Sequence, residues 1–257
     1  MYALNKINNM KNINVFSNAN ETCLNLAHYL ANFASSASPE DRKNIAVSGG
    51  VSPKLLFSIM IDLFETKLWN NLNIFWVDER IVEVSSLESN YGEFYRLNSA
   101  NNPAKLNVFP FVMPNYIKDY KNISDLEISK IISNTESKII EKLPILNKLP
   151  VFDLILLGIG ADGHTASIFR DNIKSFTSFK IIEKTYNPET KQQRLTLSGS
   201  VINNAKQIII LCTGASKQQV LKQIIIDNDM SLPATHINKK KDIKWYLDKE
   251  SAGKLNL

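Results

Sequence analysis

A chain of 257 residues, 44% hydrophobic and 21% charged, has ample material for a core, and its composition excludes a disordered or collagen-like protein. Two cysteines (Cys23, Cys212) and three histidines (His28, His164, His236), with no CxxC or HxxxH spacing, exclude a disulfide-rich scaffold and leave no pattern for a structural zinc site. The net charge of +5 favours anionic ligands only weakly, and the one tight basic run, Lys239–Lys241, reads as a solvated loop and not as a nucleic-acid patch.

The segment Met1–Asn20 is polar and Asn-rich, without the apolar stretch of a secretory signal. No run of about 18 apolar residues follows it, so no membrane span is expected and a cytoplasmic protein is. Short β-branched runs then alternate with helical patterns. Strands are expected at Ile13–Phe16, Ile45–Ser48, Leu72–Val77, Phe152–Leu157, Phe179–Ile182, Arg194–Leu197, Gln207–Cys212 and Ile243–Leu247. Helices are expected at Ala19–Ser35, Pro53–Phe64, Ser89–Leu97, Ser124–Leu143 and Ser216–Asp227. Ser52-Pro53 has the form of an N-cap followed by a first-position proline, and Ser124 to Glu127 has capping-box spacing. The alternation predicts an α/β chain with a mostly parallel central sheet and helices on both faces, a three-layer, Rossmann-like arrangement. Several strands are apolar throughout, as burial on both faces requires. No repeat, linker or boundary interrupts 1–257, so a single domain is expected, with Asn98–Lys121 as an irregular excursion.

Ligands of such folds sit at the carboxyl ends of the strands. After the second strand, Ser48-Gly49-Gly50-Val51-Ser52-Pro53 opens into a helix. Close backbone approach, a helix N-terminus and two hydroxyls suit a phosphate. After the third strand come Asp78-Glu79-Arg80. Arg80 is suited to grip a phosphate or carboxylate, and Asp78 to orient a hydroxyl or act as a base. After the fourth comes Gly158-Ile159-Gly160-Ala161-Asp162-Gly163-His164-Thr165-Ala166-Ser167. It places His164 near the start of a short helix, where it can take a proton from water near neutral pH. Arg194 stands at a strand start, and Lys217, after Thr213-Gly214-Ala215-Ser216, is placed as a second phosphate ligand. His28 and His236 read as non-catalytic.

Two near-matches mislead. Gly158 to Gly163 satisfies G-x-G-x-x-G, with Glu183 twenty residues on. A dinucleotide fingerprint belongs in the first βα turn, however, and three strands precede this one. Ala46 to Gly50 approximates a nucleophile elbow but has Ala46 where the first glycine belongs.

The Ser48–Pro53 segment, Val77-Asp78-Glu79-Arg80, Ser89-Asn90 and the Gly158–Ser167 segment occur in the order found in 6-phosphogluconolactonases. The later residues fit as well: Arg194 with Thr196, Thr213-Gly214 with Lys217, Leu232-Pro233-Ala234, and Trp245 to Asp248. Nearly the whole chain resembles that family. Glucosamine-6-phosphate deaminases are related but typically carry Tyr after Asp-Glu and Ile-Ala-Phe after Asp-Gly-His, with a Glu beyond. Here Arg80, Thr165-Ala166-Ser167 and a Glu-free Ile168–Asn172 stand in those places. Two departures concern loop shape: Arg170 and Ser198-Gly199 replace usual prolines.

The resemblance implies hydrolysis of 6-phospho-D-glucono-1,5-lactone in the pentose phosphate pathway, without metal or organic cofactor. It implies His164 as general base, Asp162 and Asp78 as orienting groups, and Ser48, Gly49, Gly50, Ser52, Arg80, Gly160, Arg194 and Lys217 around the substrate. Backbone N–H groups in the glycine turn Gly160–Gly163 are candidate oxyanion donors, whose direction the sequence does not give. The partner is a small sugar-phosphate lactone, not nucleic acid or membrane, and a monomer or at most a weak dimer is expected. The other readings are a deaminase or isomerase and a non-catalytic sugar-phosphate sensor. The sensor is disfavoured because no segment reads as a DNA-binding domain.

Overall fold

The computed structural model describes residues 12–101, 106–113, 117, 120, 122–237 and 243–255, with the side chains of 99–101 left aside. The basic run Lys239–Lys241 lies outside the described residues. A parallel sheet organises the chain. Its strands are β1 (Ile13–Phe16), β2 (Lys43–Val47), β3 (Leu72–Trp76), β5 (Asn107–Phe109), β8 (Leu154–Leu157), β11 (Gln207–Cys212) and β12 (Ile243–Asp248), in the order β1-β12-β11-β8-β2-β3-β5. Every pairing in it is parallel. Leu154-Ile155-Leu156-Leu157 is fully buried, the state that continuous apolar strands reach when helices cover both faces.

Two helices follow the sequence signals closely. Helix α1 (Ala19–Ser35) is capped by Asn18, whose side chain accepts from the Glu21 amide at 3.0 Å. Its buried stripe is Cys23, Leu26, Ala27, Leu30 and Ala34, and it packs on α2 (Val51–Leu63). Helix α5 (Asp125–Lys142) carries the expected capping box between Ser124 and Glu127. A short α3 (Thr66–Asn70) leads into β3.

The structure departs from the expected strands in three places. Arg194–Leu197 is not in the central sheet. It lies in β10 (Gln193–Leu197), flanked by β4 (Asp78–Arg80) and β9 (Ile182–Tyr186) in a separate antiparallel sheet. The strand expected at Phe179–Ile182 begins only at Ile182, because Phe179 points to solvent at 85% exposure. The excursion Asn98–Lys121 contributes β5, the edge strand beside β3, which is too short and too polar in context to be read from periodicity. A two-residue hairpin, β6 (Ile145–Leu146) with β7 (Leu149–Pro150), precedes β8.

Helix α4 (Asn90–Asn101) is fixed from both sides. Phe94 sits among Phe57, Trp69 and Trp76 at ring-centroid distances of 5.1–6.2 Å. Buried Glu79 meets its N-terminus. The carboxylate accepts from the Asn90 and Tyr91 amides at 2.8 Å, from Ser89 Oγ at 3.1 Å and from the Arg80 amide at 2.8 Å. Burial pushes this carboxyl up to about 7, against the pull of those donors. Replacing Glu79 with Ala leaves buried donors without an acceptor. We expect E79A to lose about 2–4 kcal/mol of stability in urea denaturation, with α4 loosened; a loss below about 0.5 kcal/mol would show that the cap is dispensable.

Candidate active site

The strand order reverses between β2 and β8. From β2 the chain crosses to β3 on one side, and from β8 it crosses to β11 on the other. Such a switch point leaves a crevice above the carboxyl ends of the two strands, because neither crossover covers it. The two glycine turns predicted from sequence lie there. Ser48, after β2, accepts at its Oγ from the Gly158 amide, after β8, at 3.3 Å. A cleft of about 460 Å³ opens above this bond.

Two walls of the cleft are helix starts. Helix α2 begins at Val51 with Gly50 as its N-cap at φ 108°, and no side chain caps it. The expected cap at Ser52 is therefore not formed. The helix starts two residues earlier because Gly50 adopts the left-handed turn, and Ser52 Oγ instead pairs with Thr213 Oγ1 at 2.7 Å. That bond joins the first turn to the turn after β11. There Gly214, at φ 91°, precedes a helical run through Lys217, α6 (Gln218–Lys222) and a wide turn to Asp227. Both carboxylate oxygens of Asp248 accept from the Gly214 amide at 3.0 Å and brace this turn. Uncapped amides and the positive helix ends face an opening that also holds Lys217.

The turn after β8 carries His164 and Asp162. Their Nδ1 and Oδ1 atoms stand 2.6 Å apart, and the His164 amide adds a 3.3 Å bond to the same oxygen. The hydrogen bond to His164 is the main reason that the Asp162 carboxyl falls to about 2. An ionised carboxylate only accepts, so Nδ1 carries the proton and Nε2 is the open position of the neutral ring. Phe169 packs on the imidazole with ring centroids 4.8 Å apart. Gly160 must be glycine, since a Cβ there would collide with the His164 ring and the Asp162 carboxylate. His164 is not at a helix start. The turn closes on itself through Gly160 N to His164 O at 2.9 Å and Gly163 N to Gly160 O at 3.0 Å, and helical structure resumes only at Arg170. Those two bonds also overturn part of the oxyanion expectation, because the Gly160 and Gly163 amides are already spent inside the turn.

The third wall is the antiparallel sheet. Arg80 and Arg194 are cross-strand partners, and both line the cleft. Arg80 reaches the Glu88 carbonyl and Arg194 the Gln192 side chain, but the Nε of each guanidinium is buried without a partner among the described residues. Burial, with Arg80 opposite, lowers the Arg194 guanidinium from its ordinary value. Two like charges facing each other across strands are unfavourable alone and favour an anion between or beside them. Asp78, also buried, accepts at Oδ2 from Ser167 Oγ at 2.7 Å. Among the described residues no bond joins it to His164, and Asp162 is the imidazole's hydrogen-bond partner.

Thus Ser48, Gly49, Gly50, Ser52, Asp78, Arg80, Gly160, His164, Arg194 and Lys217 share one cleft, and Asp162 stands behind His164. Asn90, Thr213 and Ser167 were not among the expected site residues. Their signal was present in Ser89-Asn90, Thr213-Gly214 and the tail of the His164 segment. Arg170 is exposed and absent from the cleft lining. His28 is exposed, and His236 bonds the Met230 carbonyl at 2.8 Å and stacks on Phe176, away from the cleft.

The model of the family described as glucosamine-6-phosphate isomerases/6-phosphogluconolactonase matches residues 17–245. The chain belongs to this family. A 6-phosphogluconolactonase of Aggregatibacter actinomycetemcomitans is 34% identical over 216 residues, covering 81% of this chain and 86% of the relative. One from Haemophilus influenzae is 33% identical, covering 80% and 84%. A solved 6-phosphogluconolactonase from Trypanosoma brucei superposes with a TM-score of 0.82 at 28% identity, over 95% of this chain and 98% of that one. Among the described residues no helix is long and apolar enough to cross a membrane.

A depressed carboxyl contributes stability that is complete above its ordinary value and is lost as pH falls through its folded value. For Asp162 that window runs from about 4 down to about 2. We expect the Asp162 carboxyl carbon, followed by NMR, to titrate near 2, and to return toward its ordinary value in His164→Ala. An Asp162 that titrates near its ordinary value in the unmodified protein would disprove the pairing.

Proposed function

We propose that this chain hydrolyses 6-phospho-D-glucono-1,5-lactone to 6-phospho-D-gluconate, a step of the pentose phosphate pathway. The family and its similar relatives support the reaction. The observation that supports the assignment of roles is the His164–Asp162 pair at 2.6 Å on the wall of a cleft rich in anion-binding groups.

In this reading His164 Nε2 takes a proton from water, and the water oxygen attacks the lactone C1 carbonyl. Asp162 holds the imidazole in the required tautomer and balances the imidazolium that forms. The C1–ring oxygen bond then breaks, and the proton on Nε2 passes to the departing oxygen. The product is the open-chain acid. Ser48, Gly49, Gly50, Ser52 and Lys217 hold the phosphate at the paired helix starts. Arg80 and Arg194 keep the cleft positive, which favours the phosphate and the developing oxyanion alike. Asp78, fixed by Ser167, orients a sugar hydroxyl. Anchoring a remote phosphate supplies binding energy away from the reacting carbon and sets the lactone in place.

The test generates the lactone from glucose-6-phosphate and follows its loss above the spontaneous rate. His164→Ala is expected to lower kcat by about 10²–10⁴ with the fold intact by circular dichroism. An unimpaired His164→Ala enzyme would overturn the mechanism, and ammonia release from glucosamine-6-phosphate would replace the reaction itself. Lys217→Ala is expected to raise KM chiefly. A loss confined to kcat would remove Lys217 from the phosphate site.

A further inference from the structure

One cleft residue has no part in the reaction above. Asn90 opens α4, is buried, and reaches the cleft beside Gly49. The orientation of its amide is decided by its neighbours. Nδ2 donates to the Asp78 carbonyl at 3.0 Å and stands 3.4 Å from Asp78 Oδ1. Both are acceptors, so the nitrogen faces them and the oxygen faces away. That oxygen lies over Gly49, where any Cβ would collide with it. Gly49 has no positive φ, so its own backbone does not demand glycine; the close approach of the Asn90 amide does. Among the described residues no donor engages Asn90 Oδ1.

We infer that Asn90 is a specificity-determining residue, whose Oδ1 accepts a hydrogen bond from the sugar hydroxyl nearest the phosphate-bearing arm. The inference rests on the reading that the turn containing Gly49 holds the phosphate. A ligand group that meets Asn90 is then a near neighbour of that phosphate. It is not the phosphate itself, whose ionised oxygens an amide oxygen repels. In a 6-phospho-1,5-lactone, C5 carries the phosphorylated arm and is flanked by the ring oxygen and C4. Of these two positions only the C4 hydroxyl donates. The acceptor thus selects a ring hydroxylated at C4 over one bearing hydrogen or an acceptor there.

The test measures binding, not turnover. Wild type and Asn90→Ala are titrated calorimetrically with 1,5-anhydroglucitol 6-phosphate (a ring analogue that cannot be hydrolysed), its 4-deoxy form, and inorganic phosphate. The expected result is about three- to tenfold weaker binding of the ring analogue by Asn90→Ala, the size of one neutral hydrogen bond. The 4-deoxy compound should bind both proteins equally, and so should phosphate. Parallel weakening of phosphate would mean that Asn90 only props the Gly49 turn and would overturn the inference. So would unchanged binding of the ring analogue, or equal weakening of its 4-deoxy form. Wild type that binds phosphate but not the ring analogue would instead bring down the sugar-phosphate reading of the cleft. Asn90→Ser, verified by thermal melting, repeats the comparison should the alanine variant fail to fold.

Discussion

The site depends on the parallel pairing of β2 with β8 at the point where strand order reverses. Parallel strands end on the same side of a sheet, so their following turns are neighbours by construction. At a reversal the two crossovers leave in opposite directions, and the space between them stays open. Ser48 ties the two turns across this gap through Gly158. The Ser52–Thr213 bond brings in the turn after β11. Three segments distant in sequence thereby present uncapped helix ends, a histidine and a lysine to one volume.

Strand β4 shows how three consecutive charges can be accommodated near a core. Side chains alternate along a strand, so Asp78 and Arg80 share one face and Glu79 takes the other. The first face is the cleft wall. The second meets the start of α4, where Glu79 serves as an acceptor for the helix amides. One tripeptide therefore supplies two site residues and the anchor of the helix that carries Asn90. Burial of so much charge is tolerated because each carboxylate is bonded: Asp78 by Ser167 and Asn90, Glu79 by amides and Ser89.

The arginines are less satisfied. Arg80 and Arg194 face one another across the antiparallel pair, each with a buried Nε that nothing among the described residues engages. Arg194 also lies 5.9 Å over the ring of Phe169, the same ring that packs on His164. Arg80 is the largest charge acting against the Arg194 guanidinium, ahead of the offsetting Asp78, Glu88 and Glu79, so an anion beside the pair is favoured.

Much of this was legible in the sequence. Apolar runs separated by helical patterns specify a buried parallel sheet, and glycine turns after strands point to ligand-binding loops. The His164 segment, with Asp162 two residues earlier, already contained its own hydrogen-bonded pair, because that contact is local. What could not be read are features that depend on partners far along the chain. Ser52 bonds Thr213, 161 residues on, rather than capping α2, which starts at Val51 behind the positive-φ Gly50. The joining of β4 to the neighbouring pair β9 and β10, and hence the facing of Arg80 and Arg194, arises from pairing between segments over a hundred residues apart. The amides of Gly160 and Gly163 are spent within their own turn, a local contact, but its direction of closure is a backbone conformation that residue type does not dictate. The order of β5, hidden in Asn98–Lys121, is set by the edge of β3. Local composition decides which elements form and where a turn can bind a ligand; only tertiary pairing decides which donors remain free to do so, since each hydrogen-bonding group can be spent once.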